Sequence, residues 1–345
     1  MNKIIILIFF LINTLWANIG TNEDLKVLKE LGLESSFLSD SEVINIYNEY
    51  SSKNKINYYR NVLKKSSLNA QIVRTEIENE NLHEATFFIP MIESSFVNQT
   101  RGKNSPGGLW QIIPDTAKHL KLRNDEFIDE RLDLIKSTDA ASSYLKRYYK
   151  KFDNKWYLSI LAYNCGEGRV IEAITRASLD RYLELNPNRT SGILRSFQRT
   201  LDDYKRTKRG ISDLYTIYGE LQGMEIPFDF EYLIKNNKQK QYLPESTLSY
   251  IKKIIIFSIL SNRNLFDDIR KSPYQLEKVK LPKGVSLKSV ALAIDFNSSE
   301  LEKINKHIKK QVLSKDSKAF NFYIPKSKLE IYNKKVASIK PINEK

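Results

Sequence analysis

The sequence predicts a mainly α-helical protein with a small α/β module near its C-terminal end. Three observations carry this. Apolar residues recur at three- and four-residue spacing through much of the first 260 residues, which is the period of a helix with one buried face. Glycines and prolines stand where such helices stop and start: Gly32 and Gly166 follow periodic runs, while Pro114 and Pro244 precede them. Beyond residue 279 the character changes, with a Pro-Gly turn, two short helical stretches and a strand-like "FNFYIP" at 320–325. With 345 residues, 41% of them apolar, the chain is long enough for two or three domains and a sizeable core.

Taken in order, residues 1–17 have Lys3, an apolar run from Ile4 to Ile12, and Ala17 at a cleavable position. This is the pattern of a secretory signal peptide and is short for a membrane span. Leu15 is a poor residue three positions before the cut, so an uncleaved anchor is the alternative. Residues 18–80 are helical and polar, as in "DLKVLKELGL" and "SEVINIYNEYSS". Residues 81–261 read as one domain, and 81–170 hold its densest chemistry. Within them, 133–152 is a long amphipathic helix and 154–164 a shorter apolar one. The charged stretch 172–241 reads as an insertion, an extra helical layer or a partner surface. Pro244 and Glu245 open a helix whose later part, Ile254–Leu260, is apolar. That run is far below the roughly 20 residues of a membrane span, so it is a buried core helix. Residues 279–325 form a β-α-α-β module, and 326–345 a polar, loosely held tail.

There are 55 basic residues against 41 acidic ones, a formal charge of +14. Anionic partners follow: an anionic membrane surface, an acidic polymer such as a cell wall, or a cell-wall protein. The alternative is a solvated lysine-rich surface, which is also the reading of "DDYKRTKRG" at 202–210. Nucleic acid is not expected, because the lysines are scattered and no nucleic-acid motif is present. Cys165 is the only cysteine, so no internal disulfide forms. It reads as a small buried side chain, since no histidine lies near it in sequence. His83, His119 and His307 lack metal-ligand spacing, and no metal or cofactor is expected.

The segment "FFIPMIESSFVNQTRGKNSPGGLWQIIPDTA" (87–117) places one acid, Glu93, in the last turn of a helix that is apolar nearly all round. Burial raises a carboxyl pKa, and so does the negative end of the helix dipole. A carboxyl that keeps its proton near neutral pH suits a general acid; a helix-ending glutamate that reaches solvent is the other reading. Gln111 lies 18 positions on. Gly107 and Gly108 let the backbone pass close to something. Trp110 is either core or a sugar platform, and Asp115 is a first-turn helix charge. In "AYNCGEGRV" (162–170), Tyr163 and Asn164 end an apolar helix with uncharged hydrogen-bonding groups of the kind that read sugars.

Together "IESSF", "GGLWQIIPDTA", "LAYNCGEGRV" and "LPESTLSYI" resemble the four ordered motifs of the lytic transglycosylases with a lysozyme-like fold. They are also similar to goose-type lysozymes; the nearest likeness is to the membrane-bound lytic murein transglycosylase D type. The likeness covers roughly 80–171 and 242–258. It implies a lysozyme-like catalytic domain in which Glu93 is the acid and base, Gln111, Tyr163 and Asn164 line the sugar cleft, and Tyr250 lies close to the acid. It implies cleavage of the bond between N-acetylmuramic acid and N-acetylglucosamine in peptidoglycan glycan strands, with a 1,6-anhydro product. A second acid, which ordinary glycosidases need, is not conspicuous.

Two departures from the family pattern stand out. Gly102 occupies the position of a serine that commonly bonds the glutamate, and Ser105-Pro106 replace a Gly-Ala pair. Ser94, Asn104 and Ser105 are the candidate substitutes, and Ser94 is counted with the substrate-binding residues. Around Leu287, Ala291, Leu301, Asn305 and Ile324-Pro325 the C-terminal module resembles a degenerate LysM domain, with "KGVS" in place of the usual opening. Glycan binding and plain packing are both open to it. Two rivals remain: a goose-lysozyme-like hydrolase, and a wall-binding scaffold that has lost catalysis.

Overall fold

A computed structural model describes residues 19–102, 104–188, 191–226, 228–266, 275–281, 284–309 and 321–339. The expected signal segment, 1–17, and the end of the tail lie outside them. The architecture is mainly helical, with one two-stranded sheet among the described residues.

Four helices come first: α1 (Asn22–Leu31), α2 (Ser41–Tyr50), α3 (Lys53–Lys65) and α4 (Ser67–Asn79). Local signals set their ends. Thr21 and Asp24 form a capping box on α1, and Gly32 ends it in the left-handed conformation at φ 88°. Next are α5 (Phe88–Ser94), α6 (Pro114–His119), α7 (Leu134–Lys151) and α8 (Trp156–Cys165). Pro114 opens α6 and Asp133 caps α7. In α8 every residue from Trp156 to Ala162 is buried, so it runs through the core.

The stretch read as an insertion is a helical layer. It begins with α9 (Glu167–Leu185), an unbroken helix across residue 172, and continues through α10 (Gly192–Thr207), α11 (Ile211–Gly223) and α12 (Phe230–Lys240). An apolar stripe of Leu194, Phe197, Leu201 and Tyr204 turns α10 inward. Most of "DDYKRTKRG" is exposed, as expected, but Tyr204 is buried within it. Residue 172, where the insertion was expected to begin, lies inside α9.

The apolar helix α13 (Glu245–Asn262) is the axis of the molecule. Ile254, Ile255, Ile256, Phe257, Ile259 and Leu260 are fully buried, because α1, α2, α5 and α8 all pack on it. Among the described residues no helix is long and apolar enough to cross a membrane. Two ion-paired links bind the first helices to α13. Lys252, 2% exposed, bonds Asp40 at 3.0 Å and Glu42 at 2.6 Å, and Arg263 clasps the buried Asp24. The N-terminal helices thus share one core with the central domain.

The C-terminal module has its own core. Strands β1 (Leu276–Lys280) and β2 (Asn321–Pro325) pair antiparallel, with Lys278 opposite Tyr323, and α14 (Leu287–Ala293) and α15 (Ser298–Ile304) lie between them in sequence. The expected β-α-α-β order holds. The expected loose tail does not: α16 (Leu329–Lys335) follows β2, and its buried Tyr332 donates a hydrogen bond to Lys280 O. Tyr332 and partly buried Leu329 and Ile331 pack it onto the module, a spacing hidden among lysines in the sequence.

The module is docked on the central domain by backbone and side chain. Ile128 and Ile308 form an antiparallel bridge, Asp129 N–H donates to His307 O at 2.8 Å, and Lys309 N–H donates to Phe127 O at 2.8 Å. The Tyr323 hydroxyl donates to the fully buried Asp133 at 2.9 Å. A hydrogen bond to a buried charge contributes about 1.5–3 kcal/mol. Tyr323→Phe should therefore lower unfolding free energy by about 2 kcal/mol in urea titration; a loss within error would show that this bond does not hold the module.

Candidate active site

Glu93 sits one residue from the end of α5. Pro90 is tolerated here because it falls in the first turn, where its missing N–H has no helical partner. The chain then leaves the helix sharply. Ser95 and Phe96 are both left-handed, at φ 51° and 55°, a conformation that costs of the order of 1–3 kcal/mol for each non-glycine residue. Tertiary contacts hold it. The Phe96 side chain is fully buried, its N–H donates to Pro90 O at 3.2 Å, and its carbonyl accepts from Asn69 Nδ2 at 2.9 Å.

The Glu93 carboxyl is half-buried. Burial raises its pKa, and the Tyr250 hydroxyl partly opposes this. Tyr250 projects from α13 and is 7% exposed. Its hydroxyl feels the Glu93 charge but reaches no acceptor at hydrogen-bond geometry among the described residues. The pair is a near contact rather than a formed hydrogen bond. Tyr163 also lies within the field of Glu93. Among the described residues no second carboxylate shifts Glu93.

The remaining expected residues converge from separate elements, and several are already engaged. The Tyr163 hydroxyl donates to Trp110 O at 2.7 Å, so it holds the Gln111 loop against α8. Asn164 is exposed, and its Oδ1 accepts from Thr247 at 2.9 Å, joining the end of α8 to the start of α13. Gln111 is left-handed at φ 47° and folds its Nε2 back to Gly108 O at 2.8 Å. The Ser94 hydroxyl faces two backbone carbonyls, Leu109 O at 2.8 Å and Pro90 O at 3.0 Å. With one proton to give, it ties α5 to the loop.

Two readings left open by the residues are decided here. Trp110 is fully buried, with Nε1 donating to Thr138 Oγ1 at 3.0 Å, so it is core and no sugar platform. Gly107 and Gly108 do pass close to something, and it is Arg131. A Cβ on Gly108 would lie 1.8 Å from Arg131 O, and one on Gly107 would lie 3.2 Å from Arg131 Cζ. Asp115 is a first-turn charge of α6. Cys165 is half-buried and its thiol is pushed up to about 12, chiefly by burial, which makes it a poor nucleophile.

None of the candidates to replace the missing serine bonds Glu93 in the described residues. Ser94 is directed elsewhere, Asn104 is exposed, and Ser105 offers its carbonyl to Arg131. Gly102 is exposed, with open space where a Cβ would stand.

Arg131 was not visible as a site residue in the sequence. It is fully buried, paired with Asp129 by Nε–Oδ1 at 2.9 Å and Nη2–Oδ2 at 2.7 Å. Its Nη1 donates to Ser105 O at 2.6 Å and more weakly to Ile112 O at 3.4 Å. It thereby grips both ends of the loop that carries Gln111. The one hint was a run of charges, "DERLD", set among apolar Ile128, Leu132 and Leu134. A group of acids was also missed. Glu76, Glu80 and Asp139 bring carboxylate oxygens within 4.8 Å of one another. Lys146 bonds Glu80 at 2.6 Å, and burial followed by a bond to Asp139 raises Glu76 to about 7.

One acid at a helix end, tyrosines from two core helices and a clamped small-residue loop make up the candidate site. Residues 72–183, which include Glu93, Ser94, Gln111, Tyr163 and Asn164, match the family model "Transglycosylase SLT domain". Residues 275–341 match "Lytic transglycosylase MltD, LysM-like domain". The chain thus joins an SLT transglycosylase domain to an MltD LysM-like domain. It is 39% identical over 100 residues to the membrane-bound lytic murein transglycosylase D of Escherichia coli (strain K12), covering 29% of this chain and 22% of that protein. It is 41% identical over 101 residues to a protein of Alteromonas sp. (strain M-1) named for tributyltin chloride resistance, covering 29% and 49%. The peptidoglycan transglycosylase gp16 of Escherichia phage T7 is 32% identical over 169 residues, covering 47% and 12%. The match therefore spans at most about half the length of these relatives.

Proposed function

We propose that this protein is an exported peptidoglycan lytic transglycosylase with Glu93 as its single general acid and base. The observation that carries this is a half-buried carboxyl in the last turn of a buried helix, its pKa raised by burial, with no second carboxylate acting on it among the described residues. Protonated Glu93 gives its proton to the glycosidic oxygen as the muramic C1–O bond breaks. The glutamate then takes the proton of the muramic 6-hydroxyl, whose oxygen closes on C1. The product is a 1,6-anhydro sugar, no water is consumed, and Glu93 ends protonated as it began. The SLT domain and the lytic transglycosylase relatives support this reading. The LysM-like domain and the +14 charge support an acidic wall polymer as partner.

Digestion of purified sacculi, read by mass spectrometry, tests it. Anhydro-muropeptides are expected. Products heavier by one water would identify a hydrolase instead, and sacculus binding with no soluble product would identify a scaffold.

Tyr250 gives a sharper check. It lowers the Glu93 pKa, so its removal raises that pKa further. Tyr250→Phe should move the alkaline limb of the pH–rate profile upward and slow turnover by about tenfold, the worth of one hydrogen bond that this near contact would complete as Glu93 ionises. A limb that stays in place would show that Tyr250 does not act on Glu93.

A further inference from the structure

A groove of about 340 Å³ lies where α15 of the LysM-like domain meets the central domain. On one side is Val97, four residues past Glu93 and 42% exposed; on the other is α15. Three lysines line the groove, Lys65, Lys303 and Lys306, against one acid, Glu300. The 13-residue helix α4 opens onto it with its N-terminus, where Ser66 supplies no side-chain cap. Uncapped first-turn amides attract carboxylates, and the helix dipole adds to the lysine charge.

The walls are fixed to each other. Lys306 Nζ donates across the groove to Asn98 O at 2.8 Å, and the backbone pairing of 127–129 with 307–309 holds the two domains in register. Asn98 also lines the groove; it is 6% exposed, and its Nδ2 donates inward to Leu132 O at 2.8 Å, which fixes this wall to the central domain. A preformed groove with three lysines against one acid suits a ligand that carries carboxylates.

We propose that this junction binds the acidic stem peptide borne by the glycan strand, and so selects strands whose stems are intact. This rests on the lytic transglycosylase reading. Each peptide carboxylate would meet lysines and the α4 N-terminus while the sugar backbone occupies the cleft beside Glu93.

The test is Lys65→Glu with Lys303→Glu in the full chain, assayed on intact glycan and on glycan stripped of its stems by an amidase. Both lysines are exposed, so thermal melts should match those of the wild type. On intact glycan KM should rise about tenfold, the reach of two surface charge contacts reversed, with kcat unchanged. Stripped glycan should show no difference. An unchanged KM on intact glycan, or an equal rise on both substrates, would overturn the proposal. Binding of the free stem tripeptide to the Glu93→Gln chain, by calorimetry, separates the two readings. If the wild type releases no product, the transglycosylase reading fails. The groove then stands on about a tenfold loss of tripeptide affinity in the double variant, and falls if affinity is unchanged or no binding is seen.

Discussion

Glu93→Gln is expected to reduce anhydro-muropeptide release by at least about a thousandfold, since general acid–base catalysis by a positioned group contributes about 10²–10⁴-fold and this residue would serve both steps. Its stability should move the other way. Burial raises the Glu93 pKa in the folded chain. A raised carboxyl pKa means that the folded state holds the proton more tightly than the unfolded state. Stability from this group is therefore fully present below the ordinary glutamate value and is lost as pH rises through the folded value. Glutamine carries no charge, so the variant should melt no lower than the wild type at pH 7–8, and closer to it at pH 4. Activity should follow the same proton and fall as pH rises past the raised pKa. Thermal melts and sacculus digests across pH check both. A variant that melts well below the wild type at neutral pH, or that keeps its rate, would remove Glu93 from the role.

Arg131→Ala is expected to be the most destabilising single change. The guanidinium is fully buried, and its removal leaves Asp129, 1% exposed, as a buried charge without its bidentate partner. Breaking such a pair costs about 3–5 kcal/mol, a large share of the 5–15 kcal/mol that holds a typical domain folded. The loss should appear as a lower urea midpoint. It should also reach the site, because Arg131 holds Ser105 O and Ile112 O. Where the variant still folds, hydrogen exchange at Gly107 and Ile112 should quicken, since these two residues pair across the base of the loop. A normal exchange rate there would confine Arg131 to fold stability. Asp129 N–H also bonds His307 O, so the LysM-like domain, this ion pair and the Gln111 loop form one connected structure.

Much of this was legible in the chain because it depends on local order. Helical periodicity identified α7, α8 and α13; Gly32, Gly166 and Pro114 marked helix ends through their own backbone preferences. Glu93 stood out because an acid closing an apolar helix is a local contradiction, and four motifs in fixed order pointed to the transglycosylase class. The boundary of the helical layer and the packed α16 were harder to read, since α9 runs on without a breaker and the apolar positions of α16 are interleaved with lysines.

What the sequence by itself determined was the helices, the candidate acid and the class of site. Only the tertiary structure decided what each nearby group is free to do. Gly107 and Gly108 announced a close approach without naming its partner, which is the Arg131 backbone and side chain. Trp110 could have faced sugar and is core, while Ser94 and Tyr163 hold backbone carbonyls. The physical reason is that spacing along a chain specifies which face of a helix a residue occupies, whereas hydrogen-bond partners and burial come from segments far away in sequence. Tyr163 finds its partner 53 residues away, and Tyr323 finds Asp133 across 190. Such partners are set by how the helices pack, and no local pattern encodes them.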